Sequence, residues 1–446
     1  MSSLSPDKIE KLRALLGALP RGLEHRLVGA AELSDPALAK LLRYCTTDPE
    51  TAAREHFFEP LAPLSADPAY VRPSLAWTPR PAPESVWRWI SDELAPEAAA
   101  AAREAVGDLD DAPDDAALDD QRRATAEAIL TALDALEDDP RAFKRVRRML
   151  GLSDLAVVGH VAVLLRIAPV LREALDGVEE TLDELDEDLA ADLRDRYEAA
   201  TDADPDAGGW FLYMVMARLT KPWRILRVFA RIAGRGDDSL VSRTEMTGIG
   251  DALLLDAEHH LSGFSTAPRS LPEAEDAAYA LSQFSAVTVG MTREIGIRKD
   301  GPWGQRLLKL RNAAASQMQT IHAAAERAAD RVLPDPRRIG GRRSTPYPGA
   351  DSPDFLRFEA LCRFLHLTRA DASRAAVGGA HEKVSDGLKD RLDTLGHALI
   401  AQLRGGSENR ELLETLLADV ARLLEAFDEA ETASVLVRRG AAARAA

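Results

Sequence analysis

The hydrophobic positions of this chain recur at intervals of three and four, the period of an α-helix that buries one face. Near the start, Ile9, Leu12, Leu15 and Leu16 fall on one side of a short amphipathic segment, with Ser5 as N-cap and Pro6 at the first helical position. Lys8, Glu10, Lys11 and Arg13 interrupt that segment, so no secretion signal is read there. Thr47, Asp48, Pro49 and Glu50 have the spacing of a capping box, and Ser153-Asp154 opens the most apolar stretch, Leu155 to Leu171. His160, Arg166 and Pro169 break that stretch, which predicts a buried core helix and not a membrane span. Alternating strand patterns are nearly absent. The predicted class is all-α: a multi-helix bundle or array with irregular proline-rich arms and a C-terminal helical hairpin unit.

Punctuation in the pattern divides the chain into N-terminal helices (1–58), an arm (59–83), a central helical body (84–333), a linker (334–354) and a C-terminal unit (355–446). The arm carries seven prolines and is expected to run extended, pinned by Tyr70, Val71, Leu75 and Trp77, while Trp87 and Trp89 just beyond it read as core anchors. Residues 108–120 read as an acidic linker. In the C-terminal unit Phe355 to His366 predicts one helix. Ser385 predicts the cap of a second, whose Leu388, Leu392, Leu395, Leu399 and Leu403 step along one face. Gly405-Gly406 should stop it, and Ser407 should begin a third helix that folds back as a hairpin. No internal repeat of solenoid length is found.

Composition narrows the function classes. The 446 residues are 46% hydrophobic, enough to bury a sizeable core. Lys+Arg total 56 against Asp+Glu 73, a net charge of -17, which disfavours nucleic acid as a partner. Cys45 and Cys362 are too few for a disulfide scaffold or a cysteine-rich zinc site. The expected location is the cytoplasm. No phosphate-binding glycine loop or nucleophile elbow is present, and no cofactor is implied.

Charge is unevenly distributed. Residues 176–206 hold fourteen acids and two arginines, whereas residues 210–235 hold no acid at all. At helical steps from Pro222, Arg224, Arg227, Arg231 and Arg235 gather on one arc. Trp223, Ile225, Leu226, Phe229 and Ile232 lie opposite, with Val228 out of place. Such a helix suits an anionic membrane surface or an acidic partner, with Trp223 and the four arginines as the contact surface. The favoured reading is burial against the core, its arginines paired with neighbouring carboxylates.

Two further basic clusters stand out. Arg141, Lys144, Arg145, Arg147 and Arg148 form one, expected to be a solvated face. Arg337, Arg338, Arg342 and Arg343 flank Gly340-Gly341, where backbone N–H groups could approach an anion. Asp256 with His259 and His260 gives helical spacing for a carboxylate–imidazole pair, a weak metal motif without a matching second half. Asp393 with His397 and Cys362 with His366 repeat the spacing and read as ordinary side-chain pairing. The expected function is therefore a non-catalytic interaction or adaptor protein with a protein partner. The alternatives are a peripheral membrane or acidic-partner binder using 222–235, and a helical metal-dependent enzyme.

Overall fold

The computed structural model describes residues 49–66, 78–79, 81–107, 115–152, 155–232, 247–335, 347–374, 378–405 and 409–445, with residues 11–12, 14–16, 27 and 42 besides. The architecture is all-α, as the periodicity predicts. The only extended pairing among the described residues is a two-residue parallel ladder, Ser65–Ala66 with Thr78–Pro79, and one isolated bridge between Leu182 and Leu219. No helix among the described residues is long and apolar enough to cross a membrane. The chain divides into two compact units, Met1–Val228 and Phe229–Ala446. This division falls well before the proline- and glycine-rich stretch 334–354, because the helices on both sides of that stretch pack on one another within the second unit.

In the first unit α1 (Pro49–Phe57) starts where the capping-box spacing places it. The arm that follows is not extended at its two ends. Glu59–Leu64 winds into a 3-10 turn that buries Leu61 and Leu64, and α2 begins at Pro81 and runs to Trp89. Prolines tolerate the first turn of a helix, where the missing N–H has no partner to lose. Trp87 and Trp89 are buried, and the Trp87 indole donates to Glu50 Oε1 at 2.6 Å. A π turn (Ile90–Leu94) leads into α3 (Pro96–Gly107), then come α4 (Asp115–Glu137), α5 (Pro140–Leu150) and α6 (Ala156–Ala174).

The apolar helix α6 forms the centre of this unit, burying Val158, Val161, Leu164, Leu165, Ile167 and Leu171 against α4 and its other neighbours. Its one strong charge at mid-length, Arg166, is met by Asp204 at 2.6 Å and by Asp206. A fully buried arginine, Arg122 on α4, donates to the carbonyls of His56 and Phe57 at 2.8 and 3.1 Å and to Asp119 at 2.7 Å. It thereby satisfies the carbonyls that α1 leaves open at its C-terminus. Arg172 makes a second, two-pronged contact with the same Asp119 at 2.8 and 3.0 Å.

The unit closes with α7 (Glu187–Ala203), α8 (Ala207–Arg218), the 3-10 turn Pro222–Arg224 and α9 (Ile225–Ile232), which spans the division between the units.

The second unit contains α10 (Thr247–Gly263), α11 (Leu271–Glu294), α12 (Pro302–Val332), α13 (Pro353–Leu367), the single turn α14 (Arg369–Arg374), α15 (Gly378–Arg404), α16 (Arg410–Ala426) and α17 (Ala430–Ala445). Helix α13 touches α11, α12, α15 and α16, and it buries Phe355, Phe358, Leu361, Phe364 and Leu365.

Two expectations change here. Ser385 is an interior residue of α15, which starts at Gly378, and its hydroxyl is buried without a hydrogen-bond partner. The predicted hairpin is a three-helix group, because α17 packs on both α15 and α16. Close approach depends on glycine: a Cβ at Gly440 would lie 2.2 Å from Leu417 Cδ2, and one at Gly396 2.7 Å from Leu436 Cδ1.

Candidate functional site

The basic amphipathic stretch from Trp223 is built into the protein itself. Ile225, Leu226, Val228 and Phe229 are fully buried, while Trp223, Arg224, Arg227 and Arg231 are half-buried. Arg235 lies outside the described residues. Arg224 Nη1 donates to the Asp183 carbonyl at 3.2 Å, and Arg227 Nη1 donates to the Leu185 carbonyl at 2.7 Å. The nearest carboxylate contact of Arg224, to Glu184 Oε1, is looser at 3.9 Å. Arg224 and Arg227 thus each donate to a main-chain oxygen of the protein's own acidic loop.

The same device holds the whole acidic loop between α6 and α7. Arg196 Nη1 donates to the carbonyls of Ala174 and Asp176 at 3.0 and 2.6 Å. Arg218 Nη1 donates to the Val178 carbonyl at 2.6 Å. The bridge from Leu182 N–H to the Arg218 carbonyl, and back from Thr220 N–H to Leu182, fixes the middle of the loop. Gly177 starts it in the left-handed region at φ +72, a conformation that suits a residue without Cβ. Leu182 and Leu185 point in and are buried, whereas Glu179, Glu180, Asp183, Glu184 and Asp186 remain exposed.

The metal motif does not assemble three ligands. Asp256 is buried, His260 Nε2 approaches its Oδ1 at 3.6 Å, and His259 is exposed. Among the described residues no group of three or more His, Cys, Asp and Glu side chains gathers closely enough to hold a metal ion. Arg337, Arg338, Arg342 and Arg343 lie outside the described residues. Cys362 is a buried free thiol, pushed well up from the usual thiol range by burial and by the neighbouring Glu359, which makes it unreactive.

What the structure leaves free is the other basic helix. Asp139 caps α5, its Oδ1 accepting from the N–H groups of Arg141 and Ala142 at 2.9 and 3.1 Å. Pro140 occupies the first turn, and Gly151 at φ 66 ends the helix. Val146 and Leu150 are its buried positions, set against α2 and α4. Arg141, Lys144, Arg145, Arg147 and Arg148 are all exposed, and none makes a side-chain hydrogen bond or ion pair among the described residues. At helical steps they cover an arc of roughly 160°. Phe143 and Met149, 37% and 43% exposed, stand on the two borders of that arc. In a chain of net charge -17, a helix face with five cations unpaired among the described residues and two apolar flanks departs from the average surface. No family model, no curated protein and no solved structure matches the chain.

Proposed function

We propose that this chain is a non-catalytic interaction protein whose docking face is the outer side of α5, and whose partner is an acidic segment of another protein. The observation that carries the reading is the set of five exposed cations at Arg141, Lys144, Arg145, Arg147 and Arg148, unpaired among the described residues. Left unpaired, they retain their full attraction for carboxylates, and an arginine fork binds a carboxylate with two parallel hydrogen bonds. Phe143 and Met149 offer apolar contact at the edge of the charged strip, as partner-binding surfaces commonly do.

An acidic protein suits this face better than a bilayer. An interfacial membrane helix sinks an apolar stripe into the headgroup region. On α5 that stripe, Val146 and Leu150, is already turned into the protein's own core. Helix α9 likewise keeps its apolar side inside.

The test compares wild-type protein with Arg141→Glu/Arg145→Glu/Arg148→Glu. Wild-type protein is expected to retain an acidic partner in stoichiometric amount, with an affinity that falls as salt rises. The variant is expected to lose that partner while keeping its fold. Equal retention by both proteins would overturn the reading. So would salt-sensitive sedimentation of wild-type protein, but not the variant, with phosphatidylserine vesicles.

A further inference from the structure

A cleft of about 260 Å³ lies in the first unit among the 3-10 turn Glu59–Leu64, the end of α6, the start of the acidic loop and α8. That is room for roughly nine water-sized positions, at about 30 Å³ each. It falls just under the ~300–1,000 Å³ of sites for drug-sized ligands. Pro60, Leu171, Leu175 and Met214 supply an apolar lining. The charged lining consists of Glu59, Arg172, Asp176 and Arg218.

These four charges are not equally available. Arg172 is committed to Asp119 through two hydrogen bonds. Arg218 is half-buried and its hydrogen bonds go to main-chain oxygens, Val178 at 2.6 Å and Glu179 at 3.5 Å; it makes no ion pair within 4 Å among the described residues, and Glu180 acts on it only from farther away. Burial pulls its pKa down from the usual arginine range, and the charge of Glu180 offsets that only in part. A half-buried guanidinium of this kind is stabilised by an incoming anion, best a carboxylate that can take two of its N–H groups. Glu59 and Asp176 are exposed carboxylates whose side chains have no partner among the described residues. The free charges lining the cleft therefore number one positive and two negative, beside an apolar wall.

We infer that this cleft binds a small zwitterion, an α-amino acid with an aliphatic side chain. Its carboxylate would meet Arg218, its ammonium Asp176 or Glu59, and its side chain Leu171, Leu175 and Met214. The site is separate from the α5 docking face, and neither reading depends on the other.

The probes are leucine, isocaproate, which lacks the ammonium group, and isoamylamine, which lacks the carboxylate. Ligand-observed NMR titration against the full chain should show saturable leucine binding, with each single-charge analogue at least about tenfold weaker. Arg218→Gln should abolish the leucine signal. Because Arg218 also anchors the loop, Asp176→Asn and Glu59→Gln provide an independent check. Neither carboxylate has a structural partner among the described residues, so both variants should fold, and at least one should weaken leucine by about tenfold. Absence of saturable leucine binding would overturn the inference. Isocaproate binding as tightly as leucine, or indifference of leucine binding to both carboxylate variants, would do the same.

Discussion

His322 Nε2 on α12 and His381 Nδ1 on α15 lie 3.1 Å apart, both rings buried, and His381 Nε2 continues the chain to the Leu365 carbonyl on α13 at 2.8 Å. A carbonyl only accepts, so His381 carries its proton on Nε2, its Nδ1 accepts, and His322 donates from Nε2. The relay joins three helices and requires a neutral His381, whose Nδ1 must accept, whereas a protonated His322 would keep its donating Nε2–H. Burial, with the neighbouring His381, lowers His322 from 6.5 to about 4, and burial lowers His381 as well.

The pH dependence of stability follows from the burial of that pair. Between pH 4 and 6.5 the unfolded chain binds a proton at His322 that the folded chain refuses. Stability is therefore complete above the unfolded value and is lost as pH falls toward 4, by on the order of 3 kcal/mol. Urea unfolding measured from pH 7.5 down to 4 should show this slope. His322→Gln should flatten it, and an unchanged slope in that variant would assign the acid sensitivity to other groups. Carboxylates held low by arginine, such as Glu50 beside Arg103, act in the next window down, below their ordinary value of 4.5.

Gly250 on α10 is predicted to be intolerant of alanine. A Cβ there would lie 1.9–2.4 Å from the six-membered ring edge of Trp303, whose indole is itself buried. Helix propensity alone favours alanine by about 1 kcal/mol. Overpacking a rigid buried ring costs about 1–3 kcal/mol and occasionally more, and at this separation the ring must move. Gly250→Ala should lower the melting temperature by several degrees, and Trp303→Leu in the same chain should recover part of the loss.

The ion pair between Glu359 and Arg422 ties α13 to α16, with contacts of 2.5 and 2.6 Å and the guanidinium carbon 5.3 Å from the Phe355 ring. Glu359 is buried, whereas Arg422 keeps 40% of its side chain exposed. Removing the arginine strands a buried carboxylate, so Arg422→Met should cost about 2–3 kcal/mol, discounted for that exposure. The double variant Glu359→Gln/Arg422→Met should lose less than the two single losses added together. Strict additivity in denaturant melts would show that the pair is not coupled.

Charge reversal on α5 is predicted to be thermodynamically quiet. Arg141, Arg145 and Arg148 are exposed and unpaired among the described residues, so each substitution should stay within about 0.5 kcal/mol. A large stability loss in the triple variant would mean these side chains support the fold.

Much of the architecture was legible in the sequence. Helix α13 exceeds its predicted span by only a few residues, α1 begins at Pro49 and α15 ends at Arg404 before the glycines. Ser385 misled because a serine before a leucine-stepped run is a cap signal, and only the chain upstream decides whether the helix is already under way. Helix α17 was missed because its buried face is mostly alanine, with Ala433, Leu436 and Ala443 inside, a pattern of low contrast.

The choice between the two basic helices was the harder problem, since both show cations opposite apolar residues. The distinguishing signal was the ratio. Five of the eight residues of α9 are Ile, Leu, Val or Phe, which is too many to leave wet, whereas α5 has only Val146 and Leu150 turned inward. The carbonyl anchoring of the acidic loop was not readable at all, because main-chain oxygens carry no sequence signature.

The loop between α6 and α7 is gripped by its peptide oxygens, and peptide oxygens are the same whatever residue supplies them. Exchange of Glu179, Glu180, Asp183 or Glu184 for neutral or basic residues would leave every latch from Arg196, Arg218, Arg224 and Arg227 to a carbonyl in place. Selection could therefore repaint the electrostatics of this rim, one residue at a time, without renegotiating the scaffold beneath it.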